Sequence, residues 1–148
     1  MILLAHLIFG ALIGQKISNP FLAVILAFLG HYFLDVLPHT EYSIENIEKK
    51  QWRRALPDAL RVVLDFCLGI LLISLFSKNQ PIIYMCAFAA VLPDGFTLLN
   101  RLLPNKASEA HGKFHQKTHF LKHKKISVFW RVASQVVVVL ICVIFLKT

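Results

Sequence analysis

The chain has 148 residues, of which 57% are hydrophobic, and its 16 lysines and arginines against 8 acidic residues give a formal charge of +8. This length indicates one domain over residues 1–148, and a mean hydropathy of +0.64 excludes an ordinary soluble domain but is normal for a small multi-pass membrane protein. Three isolated cysteines within apolar runs exclude a disulfide framework and a zinc site of paired cysteines. The positive charge lies between the apolar segments, so we interpret it as a topology signal and an attraction to anionic lipid headgroups.

Two apolar helices are predicted at the start of the chain. The first covers about residues 2–13, carries His6, and is short for a full membrane span. Because its start lacks a basic region and a small-residue cleavage site, we expect a retained helix rather than a signal peptide. Asn19 and Pro20 open the second helix, which covers about residues 21–37.

A polar segment, GHYFLDVLPH, occupies the end of the second helix. His31 and Asp35 are spaced four apart and therefore share one face of a helix. Pro38 disfavours helical geometry at Leu37, so we expect His39 to lie past the helix end and to turn away from the His31–Asp35 face. A histidine and a carboxylate at the end of an apolar helix indicate half of a metal site, completed by residues further along the chain.

Three further apolar helices are predicted, at about residues 57–76, 82–99 and 127–146. Two polar stretches, over residues 40–55 and 104–125, precede the first and the last of these three helices. The five helices together predict an all-α membrane bundle of four to five transmembrane helices, the lower number applying if the short first helix does not cross.

Lysine and arginine are distributed unevenly between the two sides of the predicted membrane. Residues 40–55 hold four of them and residues 101–125 hold seven, whereas the opposite side has only Lys16, Lys78 and Lys147. The positive-inside rule then places both polar stretches in the cytoplasm and the C-terminus outside. On this topology every histidine and every aspartate lies on the cytoplasmic side.

Histidines and aspartates within a membrane bundle are costly and by default indicate a functional site. Imidazole with carboxylate is the usual ligand set for zinc, and for hydrolytic sites that use manganese or iron. Besides His31 and Asp35, the candidates on other helices are His6, Asp65 and Asp94. We therefore expect a site built in the core of the bundle from facing helices.

Each of these candidates also has a plainer interpretation. His6 could be a hydrogen-bonded packing residue, and Asp65 lies four residues after Arg61, which could be its ion-pair partner. Asp58, near a predicted helix N-terminus, is better explained by the helix dipole. Asp94 could belong to a turn, but its place in LPDGF, inside an apolar segment, favours a ligand.

The second polar stretch contains four histidines at intervals of four residues: His111, His115, His119 and His123. On a helix this spacing drifts by about 40° per step, so adjacent histidines can share one ion but all four cannot. Phenylalanines flank the inner pair, which indicates a partly buried position. We expect His115 and His119 to be ligands and the outer two to be solvated.

These motifs resemble those of a family of small bacterial inner-membrane proteins, the membrane-bound, predicted metal-dependent hydrolases. The resemblance implies a multi-pass protein of the bacterial inner membrane, a divalent metal and a hydrolytic reaction. A more distant similarity is to zinc-dependent phospholipase C, whose ligands also include an HxxxD pair, here His31 and Asp35. The pieces that match the family are Ala5-His6 with Gly10 and Gly14, the segment 31–39, Leu92-Pro93-Asp94, and the segment 114–120.

The chain departs from that family pattern in two places. Larger members carry a second aspartate two residues after their Pro-Asp, where this chain has Phe96, and the missing acid weighs against a two-metal site. Their late motif tends to read His-Arg-Gly and then Thr-His-Ser, whereas this chain has FHQKTHF and shares only Thr118-His119.

The residues and the resemblance together predict a metal-dependent hydrolase at the cytoplasmic membrane face, acting on a phosphate ester of a lipid or a lipid-linked substrate. We expect Asp65 or Asp94 to act as general base. The expected divalent metal is zinc, with manganese or iron as alternatives, held by His31, Asp35, Asp94, His115 and His119, with His6 and Asp65 as further candidates. Four basic residues would hold an anionic headgroup: Arg53, Arg54, Lys113 and Lys117.

The alternative is a non-enzymatic membrane protein, either a metal carrier, a haem protein with His6 and His31 as axial ligands, or a scaffold. Membrane lipids are the expected partners, and a homo-oligomer is left open. We expect no nucleic acid, because the basic residues are divided between two stretches with little aromatic interleaving.

Overall fold

The computed structural model describes residues 2–42, 46, 49, 51–102, 105–118 and 126–148, with the backbone alone at 101–102 and 107–108. Within these ranges the chain forms six helices and no strand, so the predicted all-helical fold is confirmed. The helices are α1 (Leu3–Lys16), α2 (Pro20–Asp35), α3 (Trp52–Phe76), α4 (Pro81–Leu102), α5 (Lys106–Thr118) and α6 (Val128–Leu146).

Three of these helices are long and apolar enough to cross a membrane. They are α3, the part of α4 from Pro81 to Asn100, and α6, with mean hydropathies of 2.3, 1.8 and 2.4 over an apolar stretch of 18 residues in each. Their outward faces are apolar, since Leu64 and Leu75 of α3 and Ile144 of α6 are more than half exposed. Helices α1 and α2 are also apolar but shorter. These features are those of a membrane protein.

Helix α3 begins earlier than the sequence suggests. The predicted start at residue 57 is wrong, because the helix begins at Trp52 and contains Pro57. The side-chain amide of Asn46 donates to the carbonyl oxygen of Arg54 at 3.3 Å and to Asp58 Oδ2 at 3.0 Å. These bonds hold the added turn, so the last residues of the first polar stretch are helical.

Helix α1 is the centre of the bundle, because it packs against α2, α3, α4 and α6. Its contact with α4 is close enough to require glycine. A Cβ added at Gly10 would lie 2.5 Å from the carbonyl oxygen of Cys86, and one added at Gly14 would lie 2.9 Å from Cα of Ile83. This small-residue pair lets the backbones of α1 and α4 approach, as small residues do between membrane helices.

Side-chain amides mark the two ends of the bundle. At one end Gln15 donates to the carbonyl oxygen of Leu146 at 2.7 Å and accepts from the Lys78 N–H at 3.1 Å, which joins α1, α6 and the turn before α4. At the other end Gln135 of α6 accepts from the Ile2 N–H at 3.0 Å. This second end holds the start of α1 and the end of α2, and the candidate site lies there.

Candidate metal centre

Four ionisable side chains from three helices converge at this end of the bundle. His31 and Asp35 lie near the end of α2, Asp94 lies in α4, and His115 lies in α5. Each offers one ligand atom, and the four atoms lie within 4.8 Å of one another. We call this group the four-residue cluster. Its residue types and spacing could hold a metal ion.

The ligand atoms of the cluster are separated by distances that suit a single small cation. Asp35 Oδ2 lies 3.0 Å from His31 Nε2 and 2.9 Å from His115 Nε2, and the two Nε2 atoms lie 3.0 Å apart. Asp94 Oδ1 lies 3.6 Å and 3.7 Å from these same two nitrogens. Ligand bonds of about 2.0–2.1 Å in a tetrahedral zinc site set the ligand atoms about 3.3 Å apart, and the observed separations bracket that value.

A backbone carbonyl fixes the orientation of the His31 ring. Nδ1 of His31 lies 2.7 Å from the carbonyl oxygen of Ala90. Because a carbonyl oxygen only accepts, Nδ1 carries the hydrogen and donates it, which leaves the lone pair of the neutral ring on Nε2. The lone pair therefore points at Asp35 Oδ2, the arrangement in which histidine binds a metal.

A threonine does the same for His115. The Thr97 hydroxyl donates to the carbonyl oxygen of Pro93 at 3.0 Å, so its oxygen accepts from Nδ1 of His115, 2.8 Å away. The lone pair of the neutral His115 ring is then also on Nε2. Two imidazole lone pairs and two carboxylates thus face one point, and a cation at that point would relieve their mutual repulsion.

Asp94 forms the accessible side of the cluster. Its side chain is 33% exposed, whereas those of His31 and Asp35 are fully buried and that of His115 is 5% exposed. Solvent therefore reaches the cluster from the side of Asp94.

Two further histidines, His6 and His39, lie near Oδ1, the other carboxylate oxygen of Asp35. His6 is fully buried, stacks on His31 with ring centroids 4.1 Å apart, and places Nε2 3.3 Å from Asp35 Oδ1. It is not one of the four converging residues. His39 lies past the end of α2, as predicted, but the expectation that it turns away is wrong, because its Nε2 lies 4.0 Å from Asp35 Oδ1.

Asp65 occupies a different place from the cluster. Its Oδ2 accepts from the Leu4 N–H at 2.8 Å and from the Tyr42 hydroxyl. The structure therefore uses Asp65 to cap the start of α1 and does not bring it among the converging residues. Arg61, its alternative partner, instead bonds to Asp58 at 3.1 Å. Burial raises the pKa of Tyr42 above its usual range, and the Asp65 carboxylate raises that pKa further.

Of the four histidines in the second polar stretch, two fall within the described residues. His115 joins the cluster, while His111 was expected to be solvated and is instead half-buried, with Nε2 3.1 Å from the carbonyl oxygen of Pro93. His119, predicted to be a ligand, and His123 lie outside the described residues.

Sequence reasoning missed the residues that orient the ligands. Thr97 could have been found, because it is a polar residue three positions after Asp94 in an apolar segment, the spacing that puts two side chains on one face of a helix. The carbonyl of Ala90 leaves no signal in the sequence. Tyr32 packs edge-on against His31 and His115, with centroids 5.4 Å and 5.7 Å away, but an apolar helix ordinarily contains such a residue.

The described chain is thus an all-helical protein with three helices able to cross a membrane and a buried histidine–aspartate cluster able to hold a metal ion. Comparison with family models, with curated proteins and with solved structures gives no match for this chain.

Proposed function

We propose that the protein is a metal-dependent hydrolase of a bacterial inner membrane, acting at the cytoplasmic face on a phosphate ester of a lipid or a lipid-linked substrate. The observation that supports this most is the convergence of two imidazole lone pairs and two carboxylates within 4.8 Å. Hydrogen bonds from both Nδ1 atoms hold those lone pairs in place, as in established metal sites.

The donor set limits the choice of metal. Two nitrogens and two oxygens suit zinc first, and also manganese or iron(II), whereas calcium and magnesium prefer oxygen alone. A bound ion of this kind would supply a Lewis acid and lower the pKa of a water toward neutrality.

Residues of the chain would hold the metal, accept a proton and bind the phosphate group. His31, Asp35 and His115 are buried and hold their geometry, while Asp94, whose Oδ1 faces the cluster, is exposed enough for its other carboxylate oxygen to accept the proton of an attacking water. Lys113 and Lys117 are exposed on α5, the helix that carries His115, and would hold an anionic phosphate group beside the cluster.

The membrane arrangement that fits this function has four to five spans with the cluster at the cytoplasmic side. Helices α1 and α2 have 14 and 16 residues, so at about 1.5 Å per residue they fall short of a hydrocarbon core of about 30 Å. In an arrangement of four to five spans, one or both of them cross as short spans over which the bilayer thins, beside α3, α4 and α6, which cross fully. The excess of lysine and arginine in the two polar stretches supports their cytoplasmic location.

A non-enzymatic role is the competing candidate, and its haem form is disfavoured by one contact. His6 and His31 stack ring on ring at 4.1 Å, whereas two axial ligands of one haem would need their nitrogens on opposite faces of a porphyrin. A metal carrier with the same cluster would bind the ion without turning over a phosphate ester, so activity separates the two.

The test begins with metal content. The protein is purified in detergent without chelator, and metal per chain is measured by elemental analysis for the wild type, His115→Gln and His111→Gln. We expect at least one divalent ion in the wild type, loss of it in His115→Gln, and retention in the matched control, whose histidine lies on the same helix but outside the cluster. Less than about 0.2 ion per wild-type chain would overturn the proposal.

Activity follows on the same three proteins. Phospholipids and prenyl phosphates in mixed micelles are offered as substrates, and released phosphate or headgroup is measured. We expect hydrolysis by the wild type and by His111→Gln and none by His115→Gln. Stoichiometric metal with no turnover of any phosphate ester would favour the carrier instead.

A further inference from the structure

We propose a second cation position on the far side of Asp35, formed by Asp35 Oδ1, His6 and His39, so that Asp35 bridges two ions. This inference deepens the proposed function and rests on it, because the first ion and the second share Asp35. The class of ligand is a divalent cation that accepts nitrogen and oxygen donors, such as zinc or manganese.

His6 provides the first observation. It is fully buried, and neither of its ring nitrogens has a hydrogen-bond partner among the described residues. Its Nε2 lies 3.3 Å from Asp35 Oδ1 without the alignment of a hydrogen bond. Burying an imidazole without a hydrogen-bond partner costs free energy that an apolar ring of similar size would not cost. A cation bound to a ring nitrogen of His6 would compensate for that cost.

His39 provides the second, independent observation. Its Nδ1 lies 2.7 Å from the carbonyl oxygen of Leu37, which can only accept, so the hydrogen is on Nδ1 and the lone pair on Nε2. That Nε2 lies 4.0 Å from Asp35 Oδ1 and 3.4 Å from Glu41 Oε1. A carbonyl thus orients His39 as another carbonyl orients His31, with the lone pair toward carboxylate oxygens.

The two oxygens of Asp35 therefore face two different pairs of imidazoles. Oδ2 faces His31 and His115, and Oδ1 faces His6 and His39. The stacking of His6 on His31 at 4.1 Å sets the two pairs side by side, as expected when one carboxylate bridges neighbouring ions.

The ligands of the second position come from elements other than α4, where Phe96, and not an acid, lies two residues after Asp94. Here α1 and the segment after α2 supply the ligands instead, and two ions sharing a carboxylate are a common basis for phosphate-ester hydrolysis.

The experiment is a manganese titration of the metal-stripped, full-length protein in detergent, followed by electron paramagnetic resonance. We expect the wild type to bind two Mn²⁺ per chain and to give the broad multiline signal of coupled ions. His6→Gln and His39→Gln should each bind one Mn²⁺ and give the six-line signal of an isolated ion. The matched control His111→Gln should keep two ions and the coupled signal, because His111 bonds to the Pro93 carbonyl instead.

The outcomes separate this inference from the function on which it rests. One ion per wild-type chain, with an isolated signal that His6→Gln does not alter, overturns the second position and leaves the hydrolase proposal standing. No ion in the wild type overturns both. Two ions in both His6→Gln and His39→Gln also overturn the second position. If His6→Gln aggregates, His39→Gln decides the question, because that residue lies outside the helices and its loss opens no cavity within one.

Discussion

Asp35 and Asp65 are two aspartates from the same half of the bundle that face opposite kinds of atoms. Asp65 Oδ2 accepts from the Leu4 N–H and from the Tyr42 hydroxyl, both of which bring a hydrogen to it. Asp35 Oδ2 faces the Nε2 atoms of His31 and His115, whose hydrogens are on Nδ1. A carboxylate among donors holds a fold together, whereas one among lone pairs is suited to a cation.

The difference between these aspartates lies in their neighbours. Both lie in apolar helices, Asp35 at the end of α2 and Asp65 in the middle of α3, where Arg61 lies one turn away. They differ in the groups that face them. The imidazoles beside Asp35 carry their hydrogens on Nδ1, because Nδ1 donates to the Ala90 carbonyl in one ring and to the Thr97 hydroxyl in the other.

The largest effect is expected from replacing Asp35, and not Asp65, with its amide. Asp35→Asn should lower metal content at least about tenfold, because the amide removes a charged ligand from the cluster. Asp65→Asn should leave metal content unchanged. Elemental analysis of both variants, purified in parallel, measures the difference, and equal metal content in the two would remove the distinction between the aspartates.

The next effect concerns the hydrogen on His115. Thr97→Val removes the acceptor of the Nδ1 hydrogen, so the ring is no longer held with its lone pair toward the cluster. We expect metal affinity to fall about 10–100-fold, measured by competition with a chromophoric chelator. Thr118→Val is the control, since that hydroxyl donates to the His115 carbonyl and leaves the ring alone. The same loss in both variants would show that the helix, and not the tautomer, is responsible.

A smaller effect should fall on stability instead of metal. Asp65→Ala leaves the Leu4 N–H and the Tyr42 hydroxyl without their acceptor, which should cost about 1–3 kcal/mol of unfolding free energy. Thermal unfolding in detergent, followed by circular dichroism, measures this cost. If Asp65→Ala keeps its stability but loses its metal, then Asp65 serves metal binding and not the stability of the fold.

The smallest effect is a pH dependence at Tyr42. Tyr42→Phe should cost about 0.5–1.5 kcal/mol at neutral pH, because it removes one hydrogen bond to Asp65. Burial raises the folded-state pKa of Tyr42 above the usual value of 10.0, so the contribution is fully present below pH 10.0 and is lost as pH rises through the raised pKa. We measure the unfolding free energy of the wild type and of Tyr42→Phe between pH 8 and pH 11 and expect the difference between them to narrow as pH rises. A difference that stays constant would show that the Tyr42 hydroxyl does not donate to Asp65.

Local sequence patterns predicted the features that depend on neighbouring residues. The four-residue spacing of His31 and Asp35 gave their shared face, and an acid inside the apolar LPDGF gave Asp94. The spacing of the late histidines, with phenylalanine beside them, gave His115. The apolar runs gave the three helices able to cross a membrane.

Contacts between distant segments were beyond the reach of the sequence. The return of His39 to Asp35 depends on α6, where the Ser134 hydroxyl donates to the Pro38 carbonyl and Gln135 donates to Thr40 at 2.6 Å. Asp65 caps a helix whose first residues lie 61 positions earlier. The spacing of residues within one helix does not show which other segments that helix contacts. The prediction for His39 considered Pro38 alone, and its direction was therefore wrong.

X-ray absorption at the zinc edge of the wild-type protein, loaded with one equivalent of zinc, identifies the atoms bound to the metal. We expect a first shell of nitrogen and oxygen at about 2.0–2.2 Å, with the outer-shell scattering of two or more imidazoles and no sulfur. A sulfur shell near 2.3 Å, or a spectrum without imidazole scattering, would contradict it.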